Sequence, residues 1–152
     1  MAEQRFLDDF RAGKKFVSGG VTVTESEIVH FALLYDPQPF HLDVIAAEKS
    51  PYGGLIASGF HTLSLCFRLF MQRGDFAACS MGSPGIEEVR WLAPVRPGDT
   101  LRTETEVLDV RPSSSKPDRG ILKLKYVGLN QHGAAVISFV VNHLLRRRER
   151  ES

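Results

Sequence analysis

Residues 55–74 read LIASGFHTLSLCFRLFMQRG and are the longest helical candidate of the chain. A helix drawn over Leu55–Arg73 is apolar on nearly all sides, and Gly74 after it is a typical C-terminal cap. Helices of that kind lie at the centre of a domain. A glycine, a histidine and an arginine interrupt the apolar run, which falls short of a membrane span. We therefore expect a central helix around which the rest of the chain packs.

Strand-like segments lie on both sides of this helix. They are Phe16–Val23 before it and Ile86–Leu92, Thr100–Val110, Gly120–Asn130 and Ala134–Leu145 after it, where the apolar period changes to two. Three small residues, 18–20, would bend the first strand or admit a bulge. Turn residues at 97–99, 112–117 and 131–133 predict hairpin-like connections, so the last three strands should form an antiparallel meander.

Two shorter helices are predicted between the first strand and the central helix. Thr24 and Glu27 have the spacing of a capping box, and Pro37 ends the helix that they begin. A second short helix is predicted over about Asp43–Lys49, with its aspartate as the N-cap. These elements have one economical packing, a curved antiparallel sheet wrapped around one long central helix. The sequence thus predicts a single α+β domain over residues 1–152.

The composition is that of a globular protein with a sizeable core, since 43% of its 152 residues are hydrophobic and 24% are charged. A formal net charge of +1 gives no bulk attraction to nucleic acid or to a membrane. The basic segment at about 146–152 contains Arg146, Arg147, Arg148 and Arg150. We expect a solvated tail there; the alternative is that these charges lie near the phosphates of an anionic ligand.

The two cysteines of the chain, Cys66 and Cys79, are too few for a disulfide framework. Because Cys66 lies in the apolar helix, we expect it to be a buried free thiol. The first ten residues mix charges with isolated aromatic side chains and have no apolar core of a secretory signal. Both features predict a reducing compartment, and we expect a cytoplasmic protein.

A turn at residues 36–41, read as DPQPFH, places a carboxylate and an imidazole five positions apart. Each proline fixes its own φ near about −65° and pushes the residue before it towards extended conformations. We therefore expect a stiff, non-helical turn that presents Asp36 and His41 together. One interpretation is an ordinary surface turn, with His41 capping a helix or bonding a carbonyl group. The other is an acid and base pair of an active site.

This turn is the first part of a longer pattern. Asp36, Pro39 and His41 are followed by Gly53-Gly54-x-Ile56-Ala57-x-Gly59 and, after the helix, by WLAPVRPGDTL at residues 91–101. The series resembles the MaoC-like dehydratases, the group of R-specific enoyl-CoA hydratases, whose signature Gly-Asp-x-Asn-Pro-x-His lies between a strand and the central helix. The resemblance covers most of the chain and implies the hot-dog fold. Gln38 stands where that family has asparagine, Tyr35 where it has glycine, and Ser58 where it often has histidine.

The resemblance implies an acyl-thioester hydratase or dehydratase, which adds or removes water at a 2-enoyl thioester of coenzyme A or of a carrier protein. Asp36 and His41 would be the catalytic acid and base, in an order that the sequence leaves open. Gly59, near the start of the helix, would offer its N–H to the thioester oxygen, with Ser58 and Gln38 beside the substrate. The thioester is a substrate, and no cofactor or metal is expected. Hot-dog proteins resemble one another in pairing, so a homodimer is expected.

Several other assignments remain open at the level of sequence. The acyl pocket could be walled by aromatic and aliphatic side chains that would serve equally well in a core: Phe40, Tyr52, Phe60 and Leu63. His61 could reach the site or pack in the core, and we expect it to pack in the core. A metal site made of Asp36, His41, Asp43 and His61 is not expected, because these residues do not have a recognised metal-ligand spacing. The alternatives to a hydratase are a hot-dog thioesterase, in which a carboxylate directs water at the carbonyl carbon, and a non-catalytic subunit that binds acyl-CoA.

Overall fold

The computed structural model describes residues 3–149, in which six strands and four α-helices follow a short 3-10 turn at Leu7–Asp9. In chain order the elements are β1 (Lys15–Val17), β2 (Val21–Thr22), α1 (Glu25–Tyr35), α2 (Pro39–Leu42), α3 (Val44–Glu48), α4 (Gly59–Met71), β3 (Gly85–Trp91), β4 (Thr100–Pro112), β5 (Arg119–Leu129) and β6 (Ala135–Arg146).

All strand pairs are antiparallel, and the sheet has the order β1-β4-β5-β6-β3, with β2 also paired to β4. The predicted meander of the last three strands is confirmed. Its centre is aromatic: Tyr126 on β5 lies opposite Phe139 on β6, and the two buried rings stack with centroids 4.6 Å apart. Such cross-strand aromatic pairs stabilise one register against a slip.

Helix α4 packs across the inner face of this sheet. Its buried side chains are Thr62, Leu65, Cys66, Leu69 and Phe70. Thr103 of β4 donates to the Cys66 carbonyl oxygen at 2.7 Å, and a Cβ on Gly128 of β5 would come within 2.6 Å of Cys66 Sγ. The helix therefore lies so close to the sheet that only glycine fits beneath it. The predicted arrangement, a curved antiparallel sheet around a central helix, is confirmed.

The predicted bounds of this helix need a correction, because it begins at Gly59 and not at Leu55. Residues 55–58 have no regular secondary structure, and Ala57 N–H donates to the Val95 carbonyl oxygen at 2.8 Å. Ser58 is the N-cap, and its Oγ accepts from Phe60 N–H. One side of the helix is also not enclosed, since Phe60 is 60% exposed.

Other predictions before α4 are confirmed in part. The first strand is split into β1 and β2 by residues 18–20, as expected from their small size. Thr24 and Glu27 form the predicted capping box, and Asp43 caps α3 by accepting from two backbone N–H groups. The expectation of a non-helical turn at 36–41 is confirmed for residues 36–38 and was wrong for residues 39–41. Pro39 is the first residue of the one-turn helix α2, a position where a missing N–H costs nothing.

The basic C-terminal segment is not simply a solvated tail. Arg146 ends β6, while Arg147 and Arg148 form ion pairs of 2.8 and 2.6 Å with Asp8 and Asp9 of the N-terminal turn. Backbone N–H of Arg148 also donates to Asp8. Arg150, the last arginine of the predicted tail, lies outside the described residues. Cys66 and Cys79 are both buried free thiols, as expected for Cys66. Within residues 3–149, none of the helices has the length and apolarity to cross a bilayer.

Candidate active site

The 36–41 segment and the residues before α4 are joined by the backbone of Ile56. Ile56 N–H donates to the Phe40 carbonyl oxygen at 3.1 Å, and the Ile56 carbonyl oxygen lies 2.7 Å from His41 Nδ1. Both bonds are made by one residue of a segment without regular secondary structure, which has its N–H and C=O free because α4 has not yet begun. The late start of the helix thus brings His41 beside Ser58 and Gly59.

Asp36 is the most heavily bonded side chain of this region. Ser58 Oγ donates to Asp36 Oδ2 at 2.6 Å, and Gln38 Nε2 donates to Oδ1 at 2.7 Å. His41 Nε2 lies 3.3 Å from Oδ2. The side chains of Asp36 and His41 are only 15% and 5% exposed, although the three residues 37–39 between them are exposed.

These contacts lower the pKa of the Asp36 carboxyl group. Burial by itself would raise the pKa of Asp36, but the hydrogen bonds from Ser58 and Gln38, together with the charge of His41, outweigh it and hold that pKa below its usual range. Asp36 is therefore ionised at neutral pH. Gln38, although one methylene longer than asparagine, reaches the carboxylate without loss of the hydrogen bond.

The protonation of His41 follows from its partner. A carbonyl oxygen can only accept a hydrogen bond, so the Nδ1 atom that faces Ile56 carries a proton. In the neutral ring Nε2 then has a lone pair directed at Asp36, and in the charged ring it has an N–H that donates to Asp36. Nε2 is thus the one ring atom free to take and give a proton, and it does so next to a carboxylate.

Gly59 is the first residue of α4, where backbone N–H groups have no helical acceptor. Within residues 3–149 no acceptor lies in hydrogen-bond range of its N–H. The Gly59 carbonyl oxygen accepts from Trp91 Nε1 at 2.8 Å, and a Cβ on Gly59 would come within 2.5 Å of the same nitrogen. Gly59 is therefore required for packing, and its N–H is also free for a ligand at the positive end of the helix.

These groups line one open cleft of about 510 Å³. Of the predicted pocket walls, Phe40, Tyr52 and Phe60 lie on it, but Leu63 does not. Leu63 faces a separate apolar depression with Phe67 and side chains of β3 and β6, because it lies on the other side of α4. The lining of the cleft consists of Asp36, Gln38, Phe40, His41, Tyr52, Ile56, Ala57, Gly59, Phe60, Thr62, Trp91, Leu92, Ala93, Pro94 and Val95.

Ser58 has a different place from the one predicted beside the substrate. Its side chain is fully buried, contacts the Asp36 carboxylate and is not among the residues that line the cleft. It accepts from Phe60 N–H and donates to Asp36, so its hydroxyl joins the N-terminus of α4 to the acid. In this position the serine hydroxyl orients a carboxylate and does not line the cleft.

Of the four residues considered for a metal, Asp36 and His41 are in contact with each other, but Asp43 and His61 have other partners. Asp43 caps α3, and the His61 ring stacks on Phe31 with centroids 4.7 Å apart. Burial lowers the pKa of His61, although the charge of Glu27 opposes the effect. No group of three or more His, Cys, Asp or Glu side chains arranged for a metal ion occurs in the part of the chain that the structure describes.

Sequence reasoning missed Trp91 and Thr62, which the fold brings to the cleft. Trp91 stood in a segment recognised only as a strand and turn. Its period-two pattern indicates which residues share a face, but not that the end of the strand meets the first turn of the helix. The signal that could have pointed to Trp91 was its indole N–H, a donor that needs a hydrogen-bond partner when the ring packs against other residues.

The chain is similar to several known proteins. A family model described as MaoC like domain matches residues 9–125. A solved MaoC-like dehydratase from Rhodospirillum rubrum shares 40% sequence identity with a TM-score of 0.88, covering 96% of this chain and 99% of that chain. A Mycobacterium tuberculosis protein with a double hot-dog fold has a TM-score of 0.75 at 21% identity, over 98% of this chain and 46% of its own, which shows the fold alone.

One relative with an assigned activity is more than twice as long as this chain. A mesaconyl-CoA hydratase of Cereibacter sphaeroides is 32% identical over 148 residues, which are 95% of this chain but only 42% of that protein. An uncharacterised protein of Bacillus subtilis is 32% identical over 141 residues, 93% of this chain and 99% of its own. Since the family model matches most of the residues, and a solved relative is similar over nearly the full length of both chains, this chain belongs to the MaoC-like dehydratase family and has the hot-dog fold.

Proposed function

We propose that this chain is a hydro-lyase that adds water to 2-enoyl thioesters, or removes it from 3-hydroxyacyl thioesters, of coenzyme A or a carrier protein. One observation carries the proposal: Asp36 and His41 lie 3.3 Å apart on a cleft that also contains the N-terminal glycine of the central helix. A base, an acid and an oxyanion donor are the three groups that this reaction needs.

In hydration the paired side chains act on one water molecule. As the water oxygen attacks C3, the pair takes one proton from it, and the electrons of the double bond move through C2 to the thioester oxygen. Gly59 N–H and the helix N-terminus stabilise the resulting enolate. The pair then returns one proton to C2, so that protons balance and both groups regain their starting state. Dehydration is the same series in reverse.

The surroundings of the pair support this chemistry. Ile56 holds the Nδ1 proton of His41, so that proton exchange is confined to Nε2 beside the carboxylate. Ser58 and Gln38 each hold one oxygen of Asp36. A pair whose members cannot rotate is positioned before substrate arrives, and general acid and base groups of this kind contribute roughly 10² to 10⁴ in rate.

We also propose that the protein works as a homodimer. Strand β3 is at the end of the sheet order, and apolar side chains on and next to it are exposed: Ile86, Trp91 and Leu92. An exposed apolar edge strand is stabilised when another chain covers it. Sedimentation equilibrium of the purified protein measures the mass, and a monomer at all concentrations up to the millimolar range would contradict this part of the proposal.

Placement in a reducing compartment such as the cytoplasm is a further proposal. It is supported by Cys66 and Cys79, which are both unpaired and buried. Burial raises the pKa of each thiol to about 11, which keeps both in the unreactive protonated form.

The test of the activity is hydration of crotonyl-CoA, followed by loss of the enoyl absorbance. We expect Asp36→Asn and His41→Ala each to lower kcat by about 10² or more. The matched controls are Asp43→Asn, a carboxylate that caps α3, and His132→Ala, an exposed histidine in the last turn. Both lie outside the cleft and should leave kcat unchanged if the fold is retained.

Other results would assign the cleft differently. Full activity in both Asp36→Asn and His41→Ala would contradict the proposal. Release of free thiol from saturated acyl-CoA, without hydration of crotonyl-CoA, would indicate a thioesterase. Binding of acyl-CoA with no turnover of either kind would indicate a non-catalytic binding subunit.

A further inference from the structure

Trp91, the single tryptophan of the chain, contacts Gly59 in two ways. Its Nε1–H donates to the Gly59 carbonyl oxygen at 2.8 Å. Its ring also fills the space next to the Gly59 Cα, since a Cβ built there would come within 2.5 Å of Nε1 and 2.6 Å of Cε2. The indole therefore takes the place of the side chain that Gly59 lacks.

The backbone that carries the indole belongs to the sheet and not to the helix. Trp91 is the last residue of β3 and pairs with Ile137 of β6. The next residue, Leu92, donates its N–H to the Val136 carbonyl oxygen at 2.9 Å, so the backbone after Trp91 is also attached to β6. The Trp91 ring meets the Phe60 ring edge-on, with centroids 6.0 Å apart. Trp91 thus joins the sheet to the first turn of α4.

The bond to Gly59 continues into the acid and base pair. The Gly59 carbonyl and the Phe60 N–H belong to one planar peptide unit. Phe60 N–H donates to Ser58 Oγ at 3.3 Å, and Ser58 Oγ donates to Asp36 Oδ2 at 2.6 Å. A rotation of this peptide plane would therefore weaken the hydrogen bond that orients the carboxylate. The Gly59 N–H, which has no acceptor in the described part of the protein, lies on the other side of the Gly59 Cα from this peptide plane.

We propose that Trp91 is a positioning residue that holds the Gly59 N–H and the Asp36 carboxylate in one geometry. The proposal rests on the hydration function for its kinetic test. Trp91 acts through Gly59 and Ser58, so its loss should lower kcat, while the aromatic wall that it gives to the cleft contributes to KM. A substitution that removes the N–H and keeps an aromatic ring separates these two contributions.

The experiment compares wild type with Trp91→Phe. Phenylalanine preserves a ring against Gly59 but has no N–H, so we expect kcat for crotonyl-CoA to fall about tenfold, with KM changed less than about twofold. Leu108→Ala, which removes an exposed apolar side chain of β4 outside the cleft, is the matched control and should leave both constants unchanged. Circular dichroism and thermal unfolding should show the same fold in all three proteins.

A second measurement does not depend on turnover. In Trp91→Phe the hydrogen bond from Ser58 to Asp36 should be weaker. Because that bond lowers the pKa of Asp36 against the effect of burial, the carboxyl group should titrate at a higher pH than in wild type. Carbon-13 NMR of the carboxyl group follows this titration. An unchanged Asp36 titration in a folded Trp91→Phe protein would overturn the inference. If wild type does not hydrate crotonyl-CoA, the proposed function fails, and the titration still decides whether Trp91 positions the carboxylate.

Discussion

Gly59→Ala should damage the site although it leaves every backbone N–H in place. The new Cβ would lie 2.5 Å from Trp91 Nε1 and 2.6 Å from Cε2, whereas non-bonded carbon contacts are comfortable at about 3.5 Å. The indole or the first turn of α4 must therefore move by about 1 Å, and the bond from Trp91 to the Gly59 carbonyl oxygen is weakened. A misplacement of this size costs about 10² in rate.

The same substitution should change the stability of the protein little. The weakened hydrogen bond costs about 1 kcal/mol, and replacing glycine by alanine in a helix returns up to about 1 kcal/mol. We therefore expect kcat/KM for crotonyl-CoA to fall about 100-fold while the free energy of unfolding in urea changes by less than about 1 kcal/mol. Gly85→Ala is the matched control, because a Cβ added at Gly85 would have no atom within 4 Å and the variant should behave as wild type.

A double mutant identifies the cause of the loss. Trp91→Ala removes the ring that the new methyl group meets, so adding Gly59→Ala in that background should cost less than about threefold more. Full activity of Gly59→Ala alone would show that the indole moves aside freely and would refute the reasoning. Equal losses in both backgrounds would show that the methyl group obstructs the substrate instead.

Three further predictions concern other parts of the fold. Burial lowers the pKa of His143, which bonds the Tyr126 hydroxyl at 2.7 Å, to about 4 from 6.5. His143 therefore takes up a proton at higher pH in the unfolded chain than in the folded protein. Because of this difference, the free energy of unfolding in urea should fall by about 3 kcal/mol as pH drops from 6.5 to 4. His143→Gln should flatten that slope, and an unchanged slope would contradict the assignment. Gly128→Ala should lower the free energy of unfolding by about 1 to 3 kcal/mol, because its Cβ would come within 2.6 Å of Cys66 Sγ; a thermal midpoint equal to that of wild type would show that α4 lifts away without cost. Binding of butyryl-CoA should change the fluorescence emission of Trp91, the single tryptophan, because its ring lines the cleft. We expect a saturable change in wild type and none in Trp91→Phe. Constant emission in wild type, while an independent measurement shows binding, would indicate that the ligand binds outside the cleft.

For the histidine of the 36–41 segment, the ordinary interpretation does not exclude the catalytic one. A bond from His41 to a carbonyl group was the ordinary alternative to a catalytic role, and the structure contains that bond, to Ile56. The bond uses only Nδ1 and thereby fixes which nitrogen remains for Asp36. Sequence alone could not show this, because Ile56 is fifteen residues away and becomes an acceptor only when the helix begins at Gly59.

Local patterns were sufficient for much of the fold. The period-two segments predicted the meander, and the spacing of Thr24 and Glu27 predicted where α1 begins, because alternation and capping depend on residues close in sequence. The start of α4 was placed four residues early, since apolar side chains at 55–57 fit a non-helical core segment as well as a helix.

The candidate acid, base and glycine could be named from residue types and spacing, together with a resemblance to one family. The contacts around them could not. Ser58 beside the carboxylate, Trp91 over Gly59, and Leu63 on the far side of α4 each depend on how strand and helix ends meet. These tertiary contacts join residues tens of positions apart, and no periodicity along the chain predicts them. They form only when the sheet packs around the helix.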